Sequence, residues 1–245
     1  MTTPATTPSG EPTSQAATRD PSAVRDAATV IVLRDRTTQP RVLMGQRGAN
    51  AAFMPMKFVF PGGAVDTGDS DVPLAREIAQ GCAVRLAEAC TADLTHALTA
   101  AAIRELWEET GLILGQRGTW PGDVPADWLG FAAAGFLPDA APLQFVFRAI
   151  TPPGRPRRFD ARFFLIDADA LSSDPDDFSA ASDELAHLHW VALDAAKTID
   201  LPFITEVVLA EVAARVDDPS PPASVPFFRN DDEQSLFLRL RGLAR

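Results

Sequence analysis

The sequence has few of the residues that bind metals through nitrogen or sulfur. It contains two cysteines and three histidines, and none of them is spaced as zinc ligands are. Cys82 and Cys90 are eight positions apart in a segment with helical periodicity, so we expect both to be reduced and buried. His187 and His189 alternate along a strand-like segment and His96 precedes an acidic motif. We assign no function to these histidines.

Basic residues are also scarce relative to acidic ones. The chain has 22 Lys and Arg against 33 Asp and Glu, a net charge of −11 and a pI near 4.7. This balance opposes attachment to nucleic acid or to an anionic membrane, both of which need clustered positive charge. No apolar run approaches 18 residues without a charge or a proline, so no membrane span is predicted. An anionic substrate would therefore need a local basic patch or a bound metal.

The chain has 245 residues, of which 46% are hydrophobic. This is enough for one sizeable core, and we predict a single domain over residues 27–245. Residues 1–26 are rich in Thr, Pro, Ser and Ala and lack the apolar run of a signal peptide, which predicts a disordered tail. The last four residues do not form a Ser-Lys-Leu peroxisomal address. These features together predict a cytoplasmic protein.

Hydrophobic periodicity predicts strands interleaved with a few long helices. Such interleaving indicates an α/β fold with a mixed sheet between helical layers. The last predicted helix is followed by a proline-rich linker at 219–226 and a final apolar stretch. This C-terminal helix and extension occupy about 201–245. The predicted strands cover 27–33, 41–46, 58–60, 143–150, 161–166 and 188–193, and the predicted helices cover 73–89, 93–110 and 201–216.

The most informative motif is Arg-Glu-Leu-Trp-Glu-Glu-Thr-Gly-Leu at residues 104–112. At about 100° per residue, Glu105, Glu108 and Glu109 fall within an arc of roughly 100° on one helix. Like charges this close repel, and a hard cation between them would relieve the repulsion. An acidic helix face in solvent is the alternative for this motif alone. The preceding Phe-Pro-Gly-Gly at 60–63 and the closing Thr-Gly favour a magnesium site for a diphosphate.

These residues resemble the Nudix box, in which a glycine and an acidic residue precede Arg-Glu-apolar-x-Glu-Glu-x-Gly-apolar. The resemblance implies a Nudix α/β/α sandwich, with Mg²⁺ or Mn²⁺ bound by three glutamates and the carbonyl of a glycine turn. That turn matches Gly63, although Gly62 and Gly63 could also be purely structural. The first acidic position holds Asp69 instead of glutamate, and Arg104 is the box arginine. The gap from Asp69 to Arg104 is 34 residues, 27 more than the family's seven, which predicts a helical insertion at about 70–97 inside the box.

Four segments, 41–47, 48–55, 58–63 and 151–164, resemble a long-insert Nudix branch that includes acyl-coenzyme A diphosphatases. This resemblance implies hydrolysis of coenzyme A or its thioesters to 3′,5′-ADP and (acyl-)phosphopantetheine. Another substrate class is ADP-ribose or a nucleotide sugar. A catalytically silent nucleotide sensor is disfavoured because all three box glutamates are present.

The general base and the substrate contacts have several candidates. By resemblance, either a box glutamate or a later loop acid serves as base, so Glu105 and Glu184 are both candidates, with Arg104 beside them. Arg47 ends a strand that leads into the site and could contact the diphosphate. A local basic cluster could hold a 3′-phosphate through planar guanidinium groups, or it could be a solvated hairpin paired with acids. Its members are Arg155, Arg157, Arg158 and Arg162.

Overall fold

The computed structural model describes residues 23–49, 54–90, 92–230 and 234–243. The predicted tail lies mostly outside this range. The first strand, β1, spans Val24–Arg34, so it starts three residues before the predicted position.

A mixed sheet organises the described part of the chain. After β1, the strands are β2 (Arg41–Arg47), β3 (Phe58–Val59), β4 (Gly62–Ala64), β5 (Gly115–Arg117), β6 (Phe136–Pro138), β7 (Gln144–Ile150), β8 (Arg158–Asp167), β9 (Leu185–Ala192), β10 (Val225–Asn230) and β11 (Ser235–Leu240). The strand order of the mixed sheet is β11-β10-β7-β8-β1-β2-β3, with β4 also paired to β1 and β9 also paired to β2. β1 pairs in parallel with β8, and β10 in parallel with β7, while the other pairs are antiparallel. A separate hairpin joins β5 to β6.

Helices cover both faces of the sheet. On one face lie α1 (Gln80–Ala87) and α2 (Ala92–Thr110), and on the other lies α4 (Phe203–Ala213), while a short helix α3 (Leu129–Ala133) packs beside α2. Alternate residues of β1 enter the two cores, with Val30 and Val32 facing α2 and Ile31 and Leu33 facing α4. This alternation is what a strand buried on both faces requires. The predicted α/β/α sandwich with a mixed sheet is confirmed.

The insertion contains a helix, but a shorter one than predicted. The helix begins at Gln80 instead of residue 73. Upstream, the Ala75 N–H donates to the Pro138 carbonyl at 2.7 Å, and Arg76 forms an isolated bridge with Asp139. These contacts hold the segment extended along the end of β6, which a helix would not allow.

Two smaller predictions also differ from the structure. β9 begins at Leu185, three residues before the predicted strand, and β10 starts inside the predicted linker. No helix within the described residues is long and apolar enough to cross a membrane.

Candidate active site

Helix α2 presents its acidic side chains at the edge of the core. Leu98, Ala102 and Leu106 are fully buried against the sheet. Glu105 and Glu109 lie on the adjacent strip of the same helix, where their exposed fractions are only 8% and 1%. The periodicity of the helix therefore places two carboxylates beside β4, where they are almost completely shielded from solvent.

The glycine turn contacts both of these carboxylates. The Gly62 N–H donates to Glu109 Oε2 at 2.7 Å. A Cβ placed on Gly63 would collide with the carboxylate of Glu105. Antiparallel pairing with Ala28 and Thr29 of β1 fixes the turn beneath α2. A residue without a side chain is thus required at Gly63 by the close approach of Glu105.

Arg104 joins the acidic groups of the site. Its Nε and Nη2 donate to the two carboxylate oxygens of Asp69 at 2.9 and 3.0 Å. Its Nη1 donates to Glu105 Oε1 at 2.9 Å and to Glu108 Oε2 at 3.0 Å. Burial lowers the pKa of the Arg104 guanidinium, but the hydrogen bond to Asp69 and the charges of Glu105 and Glu108 outweigh burial and leave the pKa raised. Asp69 is therefore a buried anchor of the box arginine, despite its shorter side chain.

The acidic groups have unusual protonation equilibria. Burial raises the pKa of Glu105 to about 7, although Arg104 acts in the opposite direction. Burial and the charge of Glu105 raise the pKa of Glu109 well above its ordinary range. The pKa of Glu108 is also raised, mainly by burial. Arg104 acts in the opposite direction, and the charge of Asp127 adds to the increase. Desolvation thus disfavours the ionised form of all three carboxylates.

One carboxylate oxygen has no partner. Glu109 Oε1 is buried without a hydrogen bond. A buried oxygen without a partner destabilises the folded state, because it has lost its hydrogen bonds to water. A hard cation beside it would supply the missing interaction. No three acidic, histidine or cysteine side chains among the described residues are grouped as metal ligands, and Arg104 donates to both Glu105 and Glu108. The donor set and the unpartnered oxygen nevertheless fit Mg²⁺ or Mn²⁺.

Two further predicted residues meet next to these carboxylates. Arg47 ends β2, and Glu184 precedes β9, whose Leu185 pairs with Arg47. Arg47 Nη1 lies 3.3 Å from Glu184 Oε1, and the Glu184 side chain is 56% exposed. The charge of Glu184 acts on both Glu105 and Glu109. Two residues before Glu184, the Ser182 N–H donates to the Glu108 carbonyl at 2.9 Å, so the loop acid lies beside the helix of the box glutamates and is open to solvent.

The arginine cluster is only partly available for binding. Arg162 is 1% exposed and forms ion pairs with Asp26 and Asp160. It is a buried residue of the sheet whose guanidinium is already paired with acids, and its role as a substrate contact stays a prediction. Arg158 donates to the Thr151 carbonyl at 3.1 Å.

The remaining two arginines, Arg155 and Arg157, are exposed in the loop between β7 and β8. In the sheet, Arg158 is level with Val24 and Gly63 with Ala28. The loop therefore projects beyond the first residue of β1, roughly 13 Å along the strands from the glycine turn, which is level with the middle of β1.

The other sequence expectations concern residues away from the site. Both cysteine thiols are reduced, but the predicted burial holds only for Cys82, because Cys90 is half-buried. His96 Nε2 lies 2.9 Å from the Val72 carbonyl, and His189 Nδ1 lies 2.7 Å from the carbonyl of His187. Neither contact involves Glu105, Glu108 or Glu109.

Two residues near the site had no signal in the sequence. Asp127 lies in a 3-10 turn that packs beside α2, close enough for its charge to act on Glu108. Ser182 donates its backbone N–H to the carbonyl of Glu108 at 2.9 Å. Both lie in loops, and loop sequences do not disclose the surface on which they fold.

Comparison with known proteins gives two informative similarities. The chain is 29% identical over 182 residues to a Caenorhabditis elegans protein named "Putative nudix hydrolase 7", which covers 69% of this chain. It also resembles the crystal structure of a NUDIX hydrolase from Alicyclobacillus acidocaldarius, with a TM-score of 0.58, 28% identity and coverage of 81% of this chain and 94% of the other. These similarities support the Nudix hydrolase superfamily.

Other comparisons add less. A C. elegans Ap4A hydrolase complex has a TM-score of 0.46 and 16% identity, covering 79% of this chain and 98% of its own. No family model matches the chain. The chain spans about half, 52%, of the curated Nudix relative that it matches.

Proposed function

We propose that this protein hydrolyses a diphosphate that links a nucleoside monophosphate to another moiety, by attack of water on one phosphorus. The observation that carries the proposal is the contact of two buried glutamates with the glycine turn. Glu109 accepts from the Gly62 N–H and keeps one unpartnered oxygen, while Glu105 occupies the space left open by Gly63. The Nudix similarity supports the same reaction class.

Divalent metal binding is part of this proposal. Glu105, Glu108, Glu109 and the carbonyl of Gly63 would hold Mg²⁺ or Mn²⁺, which prefer oxygen ligands. When bound, the metal neutralises phosphate charge and lowers the pKa of a coordinated water. Arg104 keeps Glu105 and Glu108 in place through Nη1, and Asp69 holds Arg104 from the other side.

Two acids remain candidates for the general base. Glu184 is exposed and lies beside Arg47, so water and substrate can reach it. Glu105 has a pKa of about 7 in the metal-free site, near the value that suits proton transfer at neutral pH. Replacing each with glutamine and comparing the pH dependence of kcat would distinguish them.

The favoured substrate is coenzyme A or an acyl-coenzyme A, cleaved to 3′,5′-ADP and (acyl-)phosphopantetheine. Arg155 and Arg157 support this choice, because they supply exposed guanidinium groups in the loop before β8, roughly 13 Å along the strands from the glycine turn. The burial of Arg162 reduces the cluster and favours the second candidate, ADP-ribose or a nucleotide sugar, which has no 3′-phosphate.

A substrate screen tests the proposal. Coenzyme A, an acyl-coenzyme A, ADP-ribose, NADH and dinucleoside polyphosphates are incubated with the protein and Mg²⁺ or Mn²⁺, and the products are identified by mass. We expect metal-dependent release of a nucleoside monophosphate from at least one compound. Glu109→Gln should lower turnover by at least about a hundredfold while the protein remains folded. Turnover that is unchanged in this variant would exclude the carboxylate site as the active site.

A further inference from the structure

The loop that carries Glu184 is attached to the end of α2. Glu108 is among the last four residues of α2, whose carbonyls have no partner within a helix. The Ser182 N–H donates to the Glu108 carbonyl at 2.9 Å. The backbone of the loop thus completes the hydrogen bonding of the helix that carries the box glutamates.

A second contact brings the same loop against α2. Gly111 follows the helix with φ +74°, and a Cβ built there would lie 3.0 Å from the carbonyl carbon of Ala180 and 3.1 Å from the nitrogen of Ala181. A side chain at this position would push the loop outward. Gly111 therefore both ends the helix and leaves the space in which the loop sits.

The backbone after Glu184 is held by the pairing of Leu185 with Arg47, but the contacts of the Glu184 side chain itself are weak. Its side chain is 56% exposed and meets Arg47 at 3.3 Å, and ion pairs of this exposure contribute little. The Glu184 N–H reaches Ser182 Oγ only at 3.4 Å. The bond from Ser182 to Glu108 is the shortest polar link between this loop and the helix of the box glutamates among the described residues.

We propose that Ser182 is a positioning residue, whose backbone N–H anchors the loop on α2 and so places Glu184 beside Glu105 and Glu109. The inference rests on the proposed function, because it assigns to Glu184 a part in the hydrolysis. Ser182 acts through Glu184 and makes no contact with the reacting atoms. The anchor is the amide, so the hydroxyl contributes little.

The amide and the hydroxyl can be separated by two substitutions. Ser182→Pro removes the N–H, whereas Ser182→Ala keeps it. We expect Glu184→Gln to lower kcat by about a hundredfold, within the range for loss of a general base. Ser182→Pro should lower kcat by at least about tenfold with KM within about threefold, and Ser182→Ala should retain at least half of the wild-type kcat.

A double-mutant cycle distinguishes positioning from a general structural effect. In a Glu184→Gln background, Ser182→Pro should change kcat by less than about twofold, because the side chain that it positions is already absent. An equal loss in both backgrounds would overturn the inference, as would wild-type kcat in Ser182→Pro. If Ser182→Pro does not fold, Gly111→Ala displaces the loop from its other side and is analysed in the same cycle.

The outcomes also separate this inference from the proposed function. If Glu184→Gln has wild-type kcat, the inference fails while the α2 carboxylates still account for hydrolysis. If the wild-type protein hydrolyses no diphosphate with Mg²⁺ or Mn²⁺, the proposed function itself fails.

Discussion

Glu105 is a residue whose ionisation opposes folding when no cation is bound. Its pKa rises from an ordinary 4.5 to about 7 in the folded protein, so the folded state binds its proton more tightly than the unfolded state. The corresponding stability is complete below about pH 4.5 and is lost as the pH rises through about 7. A shift of this size corresponds to about 3 kcal/mol at most.

We therefore expect metal-free Glu105→Gln to gain stability relative to the wild type as the pH rises. The gain in unfolding free energy should grow by up to about 3 kcal/mol between about pH 5 and pH 8. Urea unfolding with a chelator present measures it. A stability difference that does not change with pH would contradict the raised pKa.

Bound Mg²⁺ or Mn²⁺ should make the wild type more stable than Glu105→Gln, the reverse of the order expected without metal. A cation that binds only the folded state stabilises it in proportion to its occupancy, and Glu105→Gln removes one proposed ligand. Mg²⁺ or Mn²⁺ at about pH 8 should raise the melting temperature of the wild type more than that of Glu105→Gln or Glu109→Gln. Equal increases in the wild type and both variants would place the metal elsewhere.

At the scale of single residues, the sequence predicts which side chains share a helix face, but it does not predict contacts between residues that are distant in the sequence. The shared arc of Glu105, Glu108 and Glu109 follows from residue spacing alone. The bond from Arg104 to Asp69 crosses 35 positions of sequence, and the burial of Arg162 depends on Asp26 from another strand. Neither spacing nor charge counts reveal such partners before the strands are paired.

Among the elements, α1 of the insertion is bound to the main core. Leu86 is 1% exposed and belongs to the core beneath α2, while its neighbour Ala87 is exposed. Leu86→Asp should lower the unfolding free energy by about 3 kcal/mol or more, because it buries a charge without a partner. Ala87→Asp adds the same charge on the open side of α1 and should cost less than about 1 kcal/mol.

Thermal or urea unfolding of these two variants measures how firmly the insertion packs. If Leu86→Asp and Ala87→Asp unfold alike, α1 does not pack on the core.

The insertion also shows how periodicity can predict burial without predicting conformation. Ile78, Cys82 and Leu86 recur every four residues and all three are buried. Only the last two lie in α1, because Ile78 is in the extended segment that runs along β6. The spacing of apolar residues indicates which side chains face the core. Contacts with distant strands determine whether the backbone is helical or extended.

For the whole molecule, a net charge of −11 makes the few exposed arginines near the site important for an anionic substrate. If Arg155 and Arg157 bind the 3′-phosphate of coenzyme A, replacing both with alanine removes hydrogen bonds to a charged group. Such bonds contribute about 1.5 to 3 kcal/mol each at most. At about 1.4 kcal/mol per tenfold change, KM for coenzyme A should rise by roughly tenfold or more.

Dephospho-coenzyme A, which lacks the 3′-phosphate, provides the decisive contrast. Its KM should be nearly unchanged in Arg155→Ala/Arg157→Ala if the two arginines bind that phosphate. Arg239→Ala/Arg241→Ala, with both residues exposed at the β11 edge, removes the same charge elsewhere and controls for general attraction, which weakens with salt. An equal increase in KM for both substrates would mean that Arg155 and Arg157 attract anions in general and do not bind the 3′-phosphate. No loss for either would favour ADP-ribose or a nucleotide sugar, because the loop between β7 and β8 would then contribute no phosphate contact.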